Sequence, residues 1–194
     1  MRAALSPVLD RSAAALARVG VRPMALTVAG LVLALLAAVA AAMTLWMAAL
    51  GLWLASRVAD GLDGPLARTT KRVSPFGGWA DISADLGAYG AFIAGCAVGN
   101  PQATTACLVL LVLYYVNGGS LLALSAAASQ RGVARSDERT FHFPRGLAEG
   151  TETIVVHSLM ALMPAWIPGL AWGFAAMVAV TIGQRVVLAA RILR

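Results

Sequence analysis

The sequence predicts an all-α integral membrane protein. An N-terminal amphipathic interfacial helix precedes six transmembrane helices, and both termini are cytoplasmic. Three observations carry this. Of the 194 residues, 60% are hydrophobic and only 12% charged, against about 45–50% and about 25% in a typical soluble domain. The charges leave three long stretches empty, Pro23–Ser56, Leu86–Gln130 and Thr153–Gln184. The 15 Lys and Arg fall into four clusters between and beyond those stretches.

Residues 1–22 read as the interfacial helix. At 100° per residue, Leu5, Val8, Leu9, Leu16 and Val19 fall on roughly a 100° arc, with Arg2, Asp10, Arg11 and Arg18 off it. The segment lacks the apolar run of a secretory signal, since Asp10 and Arg11 interrupt it. Residues 23–194 form the membrane domain. Each charge-free stretch exceeds the roughly 20 residues of one crossing, so each reads as a helical hairpin. Asn100 and Pro101 break the second stretch, and Pro164 and Pro168 the third. The first has only a faint break near Thr44, and its second helix runs past Arg57 towards Asp63. The expected spans are 23–42, 45–64, 78–98, 103–127, 146–163 and 169–190. Every basic residue then lies near one face, which the positive-inside rule makes cytoplasmic. The net charge of +6 is thereby a topology signal rather than a nucleic-acid signature.

All nine acids fall on that same side, which the positive-inside rule does not require. Four of them form two spaced pairs. Asp60 and Asp63 are three apart and Asp81 and Asp85 four apart, so each pair shares a helix face. Solvated acids at helix ends, or pairing of Asp60 or Asp63 with Arg57 or Arg68, would account for one such residue but poorly for four. Four carboxylates gathered together repel unless cations neutralise them, and hard oxygen ligands suit Mg²⁺ or Mn²⁺. Arg68 lies about one turn beyond Asp63 and is suited to a phosphate oxygen. Such a cluster at a lipid–water boundary fits phosphoryl transfer on a lipid diphosphate.

Asp60, Asp63, Gly64, Ala67, Arg68, Gly77, Asp81 and Asp85 spell D-x2-D-G-x2-A-R-x8-G-x3-D-x3-D. The pattern resembles the signature of the CDP-alcohol phosphotransferase family at all eight fixed positions. At average residue usage a chance match in a chain this long is on the order of one in ten million. The resemblance implies an enzyme that displaces CMP from CDP-diacylglycerol or a similar CDP-alcohol with the hydroxyl of an acceptor alcohol. It implies two divalent cations, Mg²⁺ or Mn²⁺, held by Asp60, Asp63, Asp81 and Asp85, with Asp85 as the general base. Gly64 and Arg68 would contact the CDP diphosphate and ribose, and Ser74 the nucleotide lipid. Thr27 matches a cytidine-side position, although Met24 stands where the family often has Asn. A homodimer is expected on the same ground, in the cytoplasmic membrane, with the active site on the cytoplasmic face that the basic residues mark.

The acceptor side is less defined. Arg145, Glu149 and Glu152 cluster around the start of the fifth span, and Arg185 sits near the inner end of the sixth. These four are the acceptor-binding candidates, against ordinary helix-terminus chemistry and snorkelling. Within the family, acceptors include glycerol 3-phosphate, phosphatidylglycerol, serine, inositol or its phosphate, and choline-type alcohols. The abundant arginine tilts the reading towards a phosphorylated one. His157, deep in the fifth span, reads as a hydrogen-bonded packing residue, and Cys96 and Cys107 as small apolar fillers. Two other readings share part of this pattern. An intramembrane prenyltransferase also uses aspartate pairs and a diphosphate but lacks the Gly64-x2-Ala67-Arg68 element. A small cation-binding transporter predicts acids at the midplane or charge on both faces.

Overall fold

A computed structural model of the chain describes residues 2–130 and 150–193. It is helical, with no strand among the described residues. The helices are α1 (Arg2–Arg18), α2 (Pro23–Ala42), α3 (Trp46–Thr69), α4 (Pro75–Gly99), α5 (Thr104–Gln130), α6 (Gly150–Leu162) and α7 (Ile167–Ile192). Two compact units result, Met1–Gly95 and Cys96–Arg194.

In the first unit α2 and α3 form a close hairpin, and α1 packs on α3. Small residues on α2 make the hairpin close. Thr27, Gly30, Ala34, Ala37, Ala38 and Ala41 are buried along one stripe, while Val28, Val32, Leu35, Leu36 and Val39 face outward. A stripe of small side chains lets backbones approach, and the apolar outer face suits lipid. A side chain of α3 also bonds the α2 backbone: Ser56 Oγ donates to the Gly30 carbonyl at 2.8 Å.

Three helices stop by the same device. After α1, Gly20 takes φ +77°. Its N–H bonds Ala17 O, and that of Val21 reaches Leu16 O. This paired 5→2 and 6→1 bonding is a Schellman stop. Thr44 at φ 61° ends α2 in the same way, and Lys71 at φ 53° ends α3. Left-handed backbone is unfavourable for a side-chain-bearing residue, yet neither of these two stops carries the glycine that usually marks one. Val19 therefore lies beyond α1 and is 77% exposed, not part of its apolar arc. Within the helix, Ala13 is fully buried, and Asp10, Arg11 and Arg18 face solvent.

Helix α3 also runs further than expected, through Pro65 to Thr69. Proline normally ends a helix by removing a donor and crowding the carbonyl four residues back. Here Leu66 is fully buried one residue later, and the Thr70 hydroxyl caps its carbonyl at 2.7 Å. Packing holds the last turn, so the connection to α4 shrinks to Thr70–Ser74.

In the second unit α5 packs along α7, and α6 leads through a short 3₁₀ turn, Pro164–Trp166, into α7. Asn100 ties together the two predicted outer turns. Its Nδ2 donates to Pro164 O at 2.9 Å, while its Oδ1 accepts from Gln102 N at 3.2 Å. His157 is fully buried and bonds Tyr114 Oη through Nε2 at 2.9 Å, against the edge of Phe174, as expected for a packing histidine. Both cysteine thiols are free and buried.

Among the described residues, four segments are long and apolar enough to cross a membrane: Pro23–Ala42, Pro75–Gly99, Pro101–Gln130 and Pro164–Ile192. The expected second span matches α3, which has the length, but from its midpoint on it carries Arg57, Asp60, Asp63 and Arg68. The expected fifth span, 146–163, is described only from Gly150.

Candidate active site

The acidic pairs sit where α3 ends and α4 begins. Asp60 and Asp63 lie on α3, Asp81 and Asp85 on α4. The two helices bring the pairs into mutual electrostatic reach. Asp60 interacts with Asp85 and Asp81, and Asp63 with Asp85. The i,i+3 and i,i+4 spacings thus did what a shared helix face permits.

Each carboxylate has a distinct setting. Asp63 is buried at 7% exposure and accepts a 2.6 Å hydrogen bond from Thr27 Oγ1. That short, charge-assisted contact crosses from α3 to the first turns of α2. Asp85 is half-buried and doubly engaged: Arg57 Nη1 donates to Oδ1 at 2.6 Å, and Tyr89 Oη donates to Oδ2 at 3.3 Å. Asp60 Oδ2 lies 3.8 Å from the same Arg57 nitrogen. Asp81 is half-buried on the first turns of α4.

Arg57, Tyr89, Trp53 and Ser56 were not among the sequence candidates for the site. The signal existed for two of them. Tyr89 stands four residues after Asp85 and Trp53 four before Arg57, so each shares a helix face with its partner.

Arg68 is exposed beside Gly64, where an added Cβ would come within 3.5 Å of its Nη1. The glycine and arginine of the motif are therefore direct neighbours. Ser74 starts α4: its Oγ accepts from Gly77 N at 3.0 Å, an N-cap bond. An added Cβ at Gly77 would crowd that oxygen at 3.2 Å. Phe76 and Trp79 stack at 5.5 Å on the outside of this turn, each 63% exposed. Aromatic rings of this kind suit a membrane–water boundary.

Divalent cations fit this donor set by chemistry. All four groups are hard oxygen donors, and positive charge is already accommodated among them, since the Arg57 guanidinium contacts both Asp85 and Asp60. In their present rotamers no three acidic, histidine or cysteine side chains among the described residues close around one point. The acids are partnered instead by Arg57 and Thr27.

Of the acceptor candidates, Glu152 is half-buried in the first turn of α6. Arg185 on α7 donates through Nη1 to both the carbonyl and Oδ1 of Asn117 on α5, at 2.6 and 2.7 Å. Its anchoring to Asn117 was not foreseen. Arg145 and Glu149 lie outside the described residues.

Replacing Thr27 by valine keeps the shape and removes the donor to Asp63. We expect a loss of about 1–3 kcal/mol in stability, from a buried carboxylate left one bond short. If Thr27 acts through Asp63, Mn²⁺ affinity falls as well. A Thr27→Val protein that melts and binds Mn²⁺ like the parent would leave Thr27 without this role.

Comparison with known proteins gives a consistent picture. The family model for CDP-alcohol phosphatidyltransferases matches residues 21–188. The chain is 35% identical over 165 residues to inner membrane protein YnjF of Escherichia coli strain K12, spanning 84% of this chain and 80% of that protein. It is 33% identical over 91 residues to archaetidylinositol phosphate synthase of Pyrococcus horikoshii, 47% of this chain and 48% of the relative. Among solved structures, Mycobacterium tuberculosis phosphatidylinositol phosphate synthase with CDP-DAG bound superposes with a TM-score of 0.72, at 19% identity and 94% coverage of both chains. The same enzyme in complex with manganese and citrate gives 0.71 at 20% identity, covering 93% of this chain and 88% of that one. At such identities the solved structures establish the shared fold.

Proposed function

The chain belongs to the CDP-alcohol phosphatidyltransferase family, and from that premise we propose that it transfers a phosphatidyl group from CDP-diacylglycerol, or a similar CDP-alcohol, to an acceptor alcohol with release of CMP. The observation that carries this reading is the facing of Asp60 and Asp63 by Asp81 and Asp85 within one unit, with the Gly64–Arg68 contact beside them. Membership sets aside the prenyltransferase and transporter readings.

The residues divide the work as follows. Arg68 is permanently charged and presents a planar fork to diphosphate oxygens. Gly64, without a side chain, lets those oxygens approach the backbone. Ser74 and Thr27 are the further contacts proposed for the CDP-lipid. Asp85 takes the proton from the acceptor hydroxyl as its oxygen bonds phosphorus, and the bond from that phosphorus to the CMP oxygen breaks. Asp60, Asp63, Asp81 and Asp85 would hold two divalent cations, Mg²⁺ or Mn²⁺, which when bound neutralise the diphosphate and stabilise the departing CMP.

For the membrane arrangement we propose six crossings, with α3 and the span 146–163 as the second and fifth, both termini and the site cytoplasmic, α1 in the interface and the chain a homodimer. The positive-inside pattern supports the orientation. For the acceptor we propose a phosphorylated polyol, in keeping with the archaetidylinositol phosphate synthase and the phosphatidylinositol phosphate synthase among the similar proteins. Arg145, Glu149, Glu152 and Arg185 are the residues proposed to recognise it.

The test uses the full chain in detergent with CDP-diacylglycerol and a panel of alcohols, following CMP and lipid product. We expect CMP release with at least one phosphorylated polyol, abolished by EDTA and restored by Mg²⁺ or Mn²⁺. Release that persists in EDTA would overturn the metal-assisted mechanism, and no release with any alcohol would overturn the reaction.

A further inference from the structure

Arg57 has no part in the chemistry above, yet among the described residues it is the buried basic side chain, at 8% exposure. It lies on α3, one turn before Asp60, and its guanidinium is fixed from several sides. Nη2 donates to Ser56 Oγ at 2.9 Å, and Ser56 in turn donates to the Gly30 carbonyl at 2.8 Å. The guanidinium carbon lies 4.8 Å from the Trp53 ring centre and 5.2 Å from that of Tyr89. Trp53 is itself fully buried against Phe92, so this aromatic seat is part of the core. Nη1 then reaches Asp85 Oδ1 at 2.6 Å and stands 3.8 Å from Asp60 Oδ2. Nε is buried with no hydrogen-bond partner among the described residues.

A charge buried this far is unfavourable unless paired, and leaving one donor bare adds to that. The hairpin does not need it, because Ser56 already ties α3 to Gly30 of α2. What the arrangement achieves is local. One nitrogen pins one oxygen of Asp85, Tyr89 holds the other, and the same positive charge faces Asp60. The seat of Ser56, Trp53 and Tyr89 restricts how far the guanidinium can follow a moving carboxylate.

We propose that Arg57 is a positioning residue, the resident counter-cation of the acidic cluster. It holds Asp60 and Asp85 together against their repulsion and fixes Asp85 for proton acceptance. The proposal rests on the reading that the cluster binds divalent cations and that Asp85 is the base. It has a consequence opposite in sign to that of a structural defect. A fixed positive charge beside the ligands opposes a second cation. Removing it therefore tightens divalent binding while Asp85, no longer pinned, turns over more slowly.

The experiment compares the full chain with Arg57→Gln and Arg57→Lys in detergent. Mn²⁺ binding is measured without substrate, from the electron paramagnetic resonance signal of free Mn²⁺, and kcat and KM for the CDP-lipid are measured separately. In Arg57→Gln we expect Mn²⁺ to bind about tenfold tighter or more, with kcat lowered at least tenfold. Lysine keeps the charge but not the planar fork. In Arg57→Lys we therefore expect Mn²⁺ affinity near that of the parent, with kcat lowered at unchanged KM. Should Arg57→Gln fail to fold, the lysine variant decides alone, and unchanged kcat in it overturns the proposal. Mn²⁺ binding in Arg57→Gln equal to or weaker than in the parent also overturns it, while leaving the metal reading intact. A parent chain that binds no Mn²⁺ overturns both.

Discussion

Asp85→Asn is expected to lower CMP release by about two to four orders of magnitude, the usual contribution of a positioned general base, with KM for the CDP-lipid nearly unchanged. Asparagine has the shape of aspartate, so Tyr89 and Arg57 keep their neighbour. Lost with the charge are the capacity to accept a proton and one of the two acceptor oxygens that Arg57 and Tyr89 donate to. Asp85 is the acid proposed for this role, and donors from two residues, Arg57 and Tyr89, set the direction of its carboxylate. Asp63, by contrast, is buried behind Thr27. Initial rates of CMP release at saturating CDP-lipid and acceptor would decide it. A rate within tenfold of the parent would remove Asp85 from the proton step.

Much of this site was legible because its information is local. The two aspartate spacings specify shared helix faces whatever the rest of the chain does, and Gly64 and Arg68 are one turn apart. Helix α2 was read with its observed bounds, since Pro23 at its first position and an uninterrupted apolar run leave little choice. What stayed hidden depends on which faces meet. Arg57 was visible as a possible mate for Asp60 or Asp63, but its shortest bond is to Asp85, 28 residues on, and Asp63 turned instead to Thr27, 36 residues back. Periodicity assigns a residue to a face and says nothing of the register between helices. The helix stops at Thr44 and Lys71 were obscure for a different reason. Both adopt left-handed backbone without glycine, so the usual chemical sign of the turn is missing. The overrun past Pro65 is a third kind of miss, where burial of Leu66 outweighed a local breaker.

The close approach of α4 to α2 gives the second large effect. Gly95 packs against the backbone of Ala38, and a Cβ built there would overlap the Ala38 oxygen, carbonyl carbon and Cα. No flexible side chain is available to move aside, so one helix has to shift. Glycine to alanine within a helix ordinarily stabilises by up to about 1 kcal/mol. Gly51→Ala, at a site on α3 with nothing within 4 Å of the new carbon, should follow that rule and raise the melting temperature slightly. Gly95→Ala should do the reverse, because overpacking a fixed backbone costs about 1–3 kcal/mol and sometimes more. The same chemical change on two helices of one unit thus has opposite signs, which a general effect of alanine on helicity cannot produce. Thermal unfolding of both variants in one detergent measures it. A Gly95→Ala protein melting at or above the parent would mean that α2 and α4 do not meet backbone to backbone at Ala38.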